Sequence, residues 1–526
     1  MLTMGSFIKI HPADTVAVAL KDITAGEKIH LNEKETLAVL EDIPFGHKAA
    51  LADIRPGEDV IKYGYSIGRA VCPIEKGNWV HSHNLNTNIS EHQEYEYRPL
   101  AGAGNLCEES LVPSMAADVR ATSAKPAISS GTATEPCHFF NGYLRENGDA
   151  GIRNEIWIIP TVGCVNKCGE KLARMANDRF RPMAVDGIFC YTHPYGCSQL
   201  GEDHLYTQRI LAGLVRHPNA GGVLVLGLGC ENNNISAFRE VLGDVDTRRV
   251  MFLNTQDVEN ETEAGLNAIE QLISYASECK RRPIPVSKLK VGLKCGGSDA
   301  FSGITANPLI GMFSDKLVSE GGTSILTEVP EMFGAETILM NRCVDEGIFH
   351  KTTALINDFK GYFLRYGQVV YKNPSPGNKK GGITTLEEKS LGCIQKGGNA
   401  LVSDVIGYGS QATVPGLNLL NGPGNDIVSV TALAAAGAHL ILFSTGRGTP
   451  LGGPVPTVKI SSNSQLAARK TGWIDFNAGV LLKGRDIMEV RDSLYQLVIE
   501  TASGRKTCNE IGDYREIAIF KDGVTL

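Results

Sequence analysis

The sequence predicts a multidomain α/β protein: an N-terminal small all-β module, a tether, then a Rossmann-like, mainly parallel α/β region. Three observations carry that expectation. A turn-forming word recurs four times in the first ninety residues, a stretch rich in Ser, Thr and small residues follows, and beyond residue 138 apolar β-rich runs alternate with helical patterns. At 526 residues the chain has room for roughly three to four domains of about 150 residues each.

The words Ile23-Thr-Ala-Gly26, Ile43-Pro-Phe-Gly46, Ile54-Arg-Pro-Gly57 and Ile74-Glu-Lys-Gly77 share one pattern: an apolar residue, two others, then glycine. Glycine after a two-residue corner admits positive φ, so each word reads as a tight turn. Short β-rich runs lie among them, Val16–Leu20, Ala49–Leu51 and Val60–Tyr63, and together they make residues 1–90 one small β module. It ends in His81-Ser-His83-Asn84. In an extended strand alternate side chains share a face, so the two imidazoles would project together, either gripping a metal or substrate or standing as two surface histidines.

Residues 91–137 read as a flexible linker, because little after Glu91–Tyr97 is large and apolar enough to bury. Strands are then expected at Glu155–Pro160, Gly187–Tyr191, Gly222–Leu226, Val250–Leu253, Lys290–Leu293, Ser324–Leu326, Leu417–Leu420, Leu440–Phe443 and Thr457–Ile460. Helices are expected at Val258–Ser277, Cys343–Arg365, Ile427–Ala438 and Asp486–Ala502. Lys280-Arg-Arg-Pro-Ile-Pro285 breaks the run into a middle α/β domain, 138–284, and a C-terminal domain, 285–526. Active sites of such sheets lie beyond the carboxyl ends of the strands.

Composition narrows the function. Fifty-one basic against fifty-eight acidic side chains give a net charge of −7, which argues against a nucleic-acid binder. The first residues lack the order of a signal peptide, and the most apolar stretch, Val430–Phe443, is too short for a bilayer, so no membrane partner is expected. Thirteen cysteines in so long a chain are expected to be reduced thiols in a cytoplasm. Gly227-Leu-Gly229 and Gly446-Arg-Gly448 lack the third glycine of G-x-G-x-x-G, which disfavours a nicotinamide oxidoreductase.

Four times a predicted strand opens into a loop that joins glycine to cysteine: Gly163-Cys164, Gly196-Cys197, Gly229-Cys230 and Cys295-Gly296. Thiolates so placed could meet at one end of a sheet and hold iron or zinc, although a cysteine is otherwise a small buried hydrophobe. The repetition singles out Cys197, Cys230 and Cys295; Cys164 and Cys168 form a weaker C-x-x-x-C. His193 and His204 bracket the Cys197 loop, and either could act as a base. Gly/Pro-framed polar loops supply Asn307, Glu328, Glu331, Lys379, Thr384, Thr385, Asn425, Arg447 and Thr449. A guanidinium in such a loop suits bidentate capture of a carboxylate. Glu328 and Glu331 are either acid–base or metal-binding carboxylates, or caps and salt-bridge partners.

The words Val80–Asn84, Pro160–Asn166, Tyr195–Gly201, Gly227–Asn233, Cys295–Asp299, Gly303–Pro308, Thr327–Glu336, Asn373–Lys379 and Phe443–Pro450 together closely resemble the altronate/galactarate dehydratase family of bacterial sugar-acid lyases. The resemblance runs from Ile8 to Leu526, except near residues 100–135, where the tether is longer than the family pattern. It implies a β-clip module of the SAF type, a linker, a middle domain used for dimerisation, and a C-terminal catalytic domain with a metal site. The implied partners are a sugar acid and a second copy in a homodimer. The implied reaction converts D-altronate to 2-dehydro-3-deoxy-D-gluconate and water in hexuronate breakdown, with Fe(2+), or Mn(2+) as a substitute, under reducing conditions. The His81-Ser-His83 word favours the altronate branch over galactarate, the nearest alternative. A non-catalytic sugar-acid binding protein is the alternative of another class, and the number of polar loop words counts against it.

A C2 proton beside a carboxylate is hard to remove, because the product of its loss carries two negative charges on one carboxyl group; a divalent cation lowers that barrier. Iron is therefore expected on ligands drawn from His81, His83, Cys197, Cys230 and Cys295, with an iron–sulfur cluster on three thiols as the variant. Arg447 and Lys379 are expected to hold the carboxylate or hydroxyls, and His193 or Glu328 to move protons. Asn84, Ser298, Asp299, Asn307, Thr384, Thr385, Asn425 and Thr449 are expected to line the substrate.

Overall fold

The computed structural model describes residues 2–4, 6–30, 36–90, 94–99, 138–181 and 184–526. Each Ile-x-x-Gly word is a turn, with φ of +85° at Gly26, +81° at Gly46, +85° at Gly57 and +96° at Gly77. The leading isoleucines pair across the module as two antiparallel bridges, Ile23 with Ile43 and Ile54 with Ile74. The sequence repeat is thus a structural repeat: two pairs of corners joined by short antiparallel strands, whose inward side chains, among them Val16, Val18, Ile67 and Val80, are buried. His81–Asn84 departs from the expected strand. The Asn84 N–H donates to the His81 carbonyl, and Asn84 Oδ1 accepts the His81 N–H, which closes a turn between Trp79–Val80 and Leu85–Asn86. His81 consequently points into the protein and His83 is exposed.

Most of the expected linker lies outside the described residues. Within residues 94–99, however, Tyr95 and Tyr97 are half-buried: the Tyr95 hydroxyl donates to Glu336, the Tyr97 hydroxyl donates to the Cys343 carbonyl, and the Tyr97 ring lies 5.0 Å from that of Phe349. Through these two side chains the segment contacts the C-terminal domain.

The middle domain carries a four-stranded parallel sheet of β1 (Glu155–Pro160), β2 (Ile188–Cys190), β3 (Ala220–Gly227) and β4 (Val250–Asn254), in the order β2-β1-β3-β4. Helices α1 (Asn166–Arg179), α2 (Gly201–Arg216) and α3 (Ile235–Leu242) make the crossovers, and α4 (Glu261–Glu278) follows β4. Both central strands are buried along their whole length, which is why they read as unbroken apolar runs. The Arg-Pro-Ile-Pro break is itself a strand, Arg282–Pro285, antiparallel to Phe139–Leu144, so the two ends of the domain are tied together.

Seven parallel strands form the C-terminal sheet: β5 (Lys290–Cys295), β6 (Thr323–Leu326), β7 (Val402–Ile406), β8 (Gly416–Leu420), β9 (Leu440–Thr445), β10 (Thr457–Ser461) and β11 (Phe476–Asn477), in the order β7-β8-β6-β5-β9-β10-β11. Helices α5 (Ala306–Ser319), α6 (Glu346–Arg365), α7 (Leu386–Cys393) and α8 (Asp426–Ala435) position the loops that matter below. From β5 the chain runs to β6 on one side, and from its other neighbour, β9, it runs away to β10. The order therefore reverses at β5 and β9, opening the crevice where ligands bind to sheets of this type. Helices α2 and α8 join the domains; Gly213 is required there, because a Cβ would run into the Ala435 carbonyl. Among the described residues, no helix is long and apolar enough to cross a membrane.

Candidate active site

β5 ends in Lys294 and Cys295 and β6 is followed by Glu328, so their side chains meet at the carboxyl end of the sheet. Glu328 is in the left-handed region (φ 71°), a costly conformation for a residue with a side chain. What holds it is its carboxylate, which accepts the Cys295 N–H at 3.0 Å and binds Lys294 and, at 3.0 Å, Lys396. One short 3-10 turn later Glu331 binds Lys389 at 2.7 Å. Its other oxygen lies 3.0 Å from Cys393 Sγ and 3.3 Å from Cys295 Sγ, and the two sulfurs are 3.3 Å apart. Among the described residues, Cys295, Glu331 and Cys393 are the one group of three or more Cys, His, Asp or Glu whose ligand atoms all lie within 4.8 Å of one another.

All of these side chains are buried, and their charges hold each other in place. Burial alone would discharge Lys294, Lys389 and Lys396, but the acidic groups against them outweigh it and keep all three above the ordinary lysine range. Burial likewise acts to raise Glu331, yet Lys389, Lys294 and Lys396 together bring it down to about 2. The hydrogen bond to Cys295, with burial, pushes the Cys393 thiol well up. The result is a dry pocket of fixed ammonium groups around two thiols and two carboxylates.

The β module closes over this region. Lys48 and Lys62 both bind Glu388 of α7, at 2.8 and 2.7 Å, and Lys48 also donates to Thr384 Oγ1 and the Gly382 carbonyl. Burial, with Lys62 beside it, takes Lys48 down to about 8 even against the pull of Glu388. Burial opposes charge on Glu388 too, but the two ammonium groups bring it to about 2. His81 Nδ1 pairs with Thr384 Oγ1 at 2.9 Å, and its ring stacks on Trp79 and meets His47 edge-on. Burial, Lys48 and His47 push His81 down to about 3, so it is neutral at physiological pH. Its Nε2 has no hydrogen-bond partner among the described residues.

The residues singled out from sequence fall into three places. Cys295, Glu328, Glu331, His81 and Thr384 stand in the cluster or in the seam with the module. A second set pins loops beside it. Asp299 accepts bonds from Ser302, Ser462 and Asn463, and burial raises its carboxyl. The Ser298 carbonyl accepts Asn378 Nδ2, and Asn307 bridges Ser444 and the Gly392 carbonyl. Thr385 and Asn425 cap α7 and α8, Asn84 closes the histidine turn, and Thr449 accepts the Leu451 N–H. Arg447 is exposed and donates to the Gly377 carbonyl at 3.5 Å, next to the short helix Pro376–Lys380 that carries Lys379. A third set lies elsewhere. Cys197 and Cys230 are exposed on the middle domain, so they do not join Cys295. His193 is spent on structure: Nε2 bonds the Pro160 carbonyl at 2.8 Å, Nδ1 accepts the Tyr195 N–H, and burial takes it down to about 4. The His83 ring leans on Trp79 in solvent. Sequence reasoning did not single out Cys393, Lys294, Lys389, Lys396, Lys48, Lys62 or Glu388.

A β module bolted over the switch point of a parallel sheet, above a buried cluster of thiols, carboxylates and ammonium groups, defines a multidomain enzyme with a metal-competent pocket. Residues 5–88 match the altronate/galactarate dehydratase SAF domain, 142–277 the second domain of D-galactarate dehydratase/altronate hydrolase, and 286–525 the D-galactarate/altronate dehydratase C-terminal domain. The chain belongs to the altronate/galactarate dehydratase family. It is 50% identical to the altronate dehydratase of Escherichia coli K12 over 525 residues, 99% of this chain and 100% of that protein. It is 50% identical to that of Bacillus subtilis 168 over 526 residues, with the same coverage. Identity to the galactarate dehydratase (L-threo-forming) of Escherichia coli K12 is 32% over 534 residues, 98% of this chain and 96% of that protein.

Proposed function

We propose that this chain is a hydro-lyase converting D-altronate to 2-dehydro-3-deoxy-D-gluconate and water, within hexuronate breakdown in the cytoplasm. The observation that carries the reading is the contrast in identity: 50% to altronate dehydratases of two bacteria, against 32% to a galactarate dehydratase. The buried cluster supports it chemically. Loss of the C2 proton concentrates negative charge on the substrate's carboxyl end, and fixed ammonium groups in a dry pocket stabilise such charge without reorganising.

Cys295, Cys393 and Glu331 fit a ferrous ion, since two sulfurs and one carboxylate converge within 4.8 Å. Iron held by these residues would polarise the substrate carboxylate and the neighbouring hydroxyl. Manganese prefers oxygen donors, so the two thiols favour iron. His81, neutral and fixed at Nδ1 by Thr384, takes the proton in this reading. Lys294, Lys389 and Lys396 stay charged and hold the carboxylates in place. Arg447 and Lys379 bind hydroxyls or the carboxylate from adjoining loops. The same reading makes the protein a homodimer joined through the middle domain, which analytical ultracentrifugation tests.

Purified protein supplied with D-altronate, ferrous iron and a thiol should form a 2-keto-3-deoxy acid with no added nucleotide, and should process galactarate at least about ten-fold more slowly. Preference for galactarate, or no product from either acid, would remove the reading.

A further inference from the structure

Three thiols outside the buried cluster occupy one edge of the middle domain. β1, β2 and β3 are adjacent parallel strands, and the loop after each places a cysteine directly behind a glycine: Gly163-Cys164, Gly196-Cys197 and Gly229-Cys230. These loops are stitched to one another. The Gly163 N–H donates to the Tyr195 carbonyl at 2.8 Å, and the Asn233 N–H to the Gly196 carbonyl at 2.9 Å. The Ser198 N–H donates to Asn232 Oδ1 at 2.9 Å, and Asn233 Nδ2 to the Thr161 carbonyl at 3.0 Å. The approach is so close that a Cβ at Gly196 would strike the Thr161 carbonyl. Ser198 is held at φ 59°, a conformation a side chain makes costly.

This construction leaves all three thiols exposed, whereas Cys295, Cys343 and Cys393 are buried. Packing explains a buried cysteine; it does not explain three exposed ones on one knitted edge. Helices α1, α2 and α3 begin at Asn166, Gly201 and Ile235, just after the three cysteines. Helix N-termini carry positive partial charge, which favours thiolates.

We propose that this edge is a second site, which binds an iron–sulfur cluster through Cys164, Cys197 and Cys230. The three sulfurs do not all lie within 4.8 Å of one another. A single tetrahedral ion would need them roughly 4 Å apart, while a polynuclear cluster holds its thiolates more widely. Binding releases the three thiol protons. In a four-iron cluster, three protein thiolates leave one iron open to an oxygen ligand, from water or a small acid. The proposal does not depend on altronate being the substrate.

The test is anaerobic reconstitution of the full chain with ferric iron, a thiol that reduces part of it to ferrous, and inorganic sulfide, which together supply a mixed ferrous–ferric cluster, followed by desalting and assay of iron, acid-labile sulfide and visible absorption. The wild type should carry iron and sulfide in about equal amounts with broad visible absorption. Cys164→Ser, Cys197→Ser and Cys230→Ser should each lose more than about half of the sulfide, and Cys295→Ser should keep it. Circular dichroism and thermal unfolding of the metal-free variants should match the wild type, which separates a lost cluster from a lost fold. Iron without labile sulfide in the wild type, full sulfide in the three edge variants, or loss confined to Cys295→Ser overturns the proposal.

Discussion

At the carboxyl end of the seven-stranded sheet, thiols, carboxylates and ammonium groups are buried and saturate one another. At the same end of the four-stranded sheet, the thiols face solvent on loops fixed by main-chain bonds, by the Asn232 and Asn233 amides, and by one buried carboxylate, Glu231, which accepts the Leu228 and Gly229 N–H groups and the Thr161 hydroxyl. The first arrangement depends on side chains finding partners far away in sequence, because an unpaired charge in a dry interior is prohibitively costly. The second depends on glycine and on local geometry. The two ends therefore differ in what breaks them: removing one member of the buried set strands its partners, while removing an exposed thiol strands nothing.

The largest expected effect is on turnover. Glu331→Gln and Cys393→Ser should lower kcat/KM for D-altronate by about three orders of magnitude, with Cys343→Ser, buried in the same domain but bonded to Thr352, near wild type; steady-state kinetics decides it. His81→Asn should cut kcat by about a hundred-fold with little change in KM, and an unchanged kcat would take proton transfer away from the module.

Acid should come next. Burial holds His193 at about 4 and His217 at about 3, whereas both would titrate near 6.5 in the unfolded chain. Between those values the unfolded state binds more protons, so stability is complete above about pH 6.5 and falls as pH drops, by about 1.4 kcal/mol per unit for each histidine. Urea unfolding across that range should show the slope, and a flat profile would mean that these rings are protonated in the fold. Glu388→Gln, which leaves Lys48 and Lys62 without their carboxylate, should cost about 3–5 kcal/mol. The smallest change should be that of Cys197→Ser without iron, within about 0.5 kcal/mol; a large loss there would erase the distinction between the two sheet ends.

Much of the scaffold was legible because strands buried on both faces must be apolar throughout, as in Ile156–Ile159 and Leu440–Phe443. β7, Val-Ser-Asp-Val-Ile, was not, since its half-buried polar residues interrupt the run. The family words marked the right loops, but not which thiols would share a pocket. Three of the four Gly/Cys loops belong to one sheet and the fourth to another, and strand order, which decides this, leaves no local trace. Helix α7 was missed for a related reason. Leu386–Cys393 is buried on every side, so it has no amphipathic stripe, and its charged residues look like a solvent face. The lysines that neutralise Glu388 lie 326 and 340 residues away.

That eight-residue helix holds the module at one end and the pocket at the other. Glu387 accepts Thr87 and the Asn88 N–H, and Glu388 takes both lysines of the module, while Lys389 and Cys393 grip Glu331. One helix thus carries both the carboxylates that anchor the module and the thiol that faces Glu331. The seam with the module and the donor set of the pocket therefore share one eight-residue element, and a substitution that shifts it reaches both.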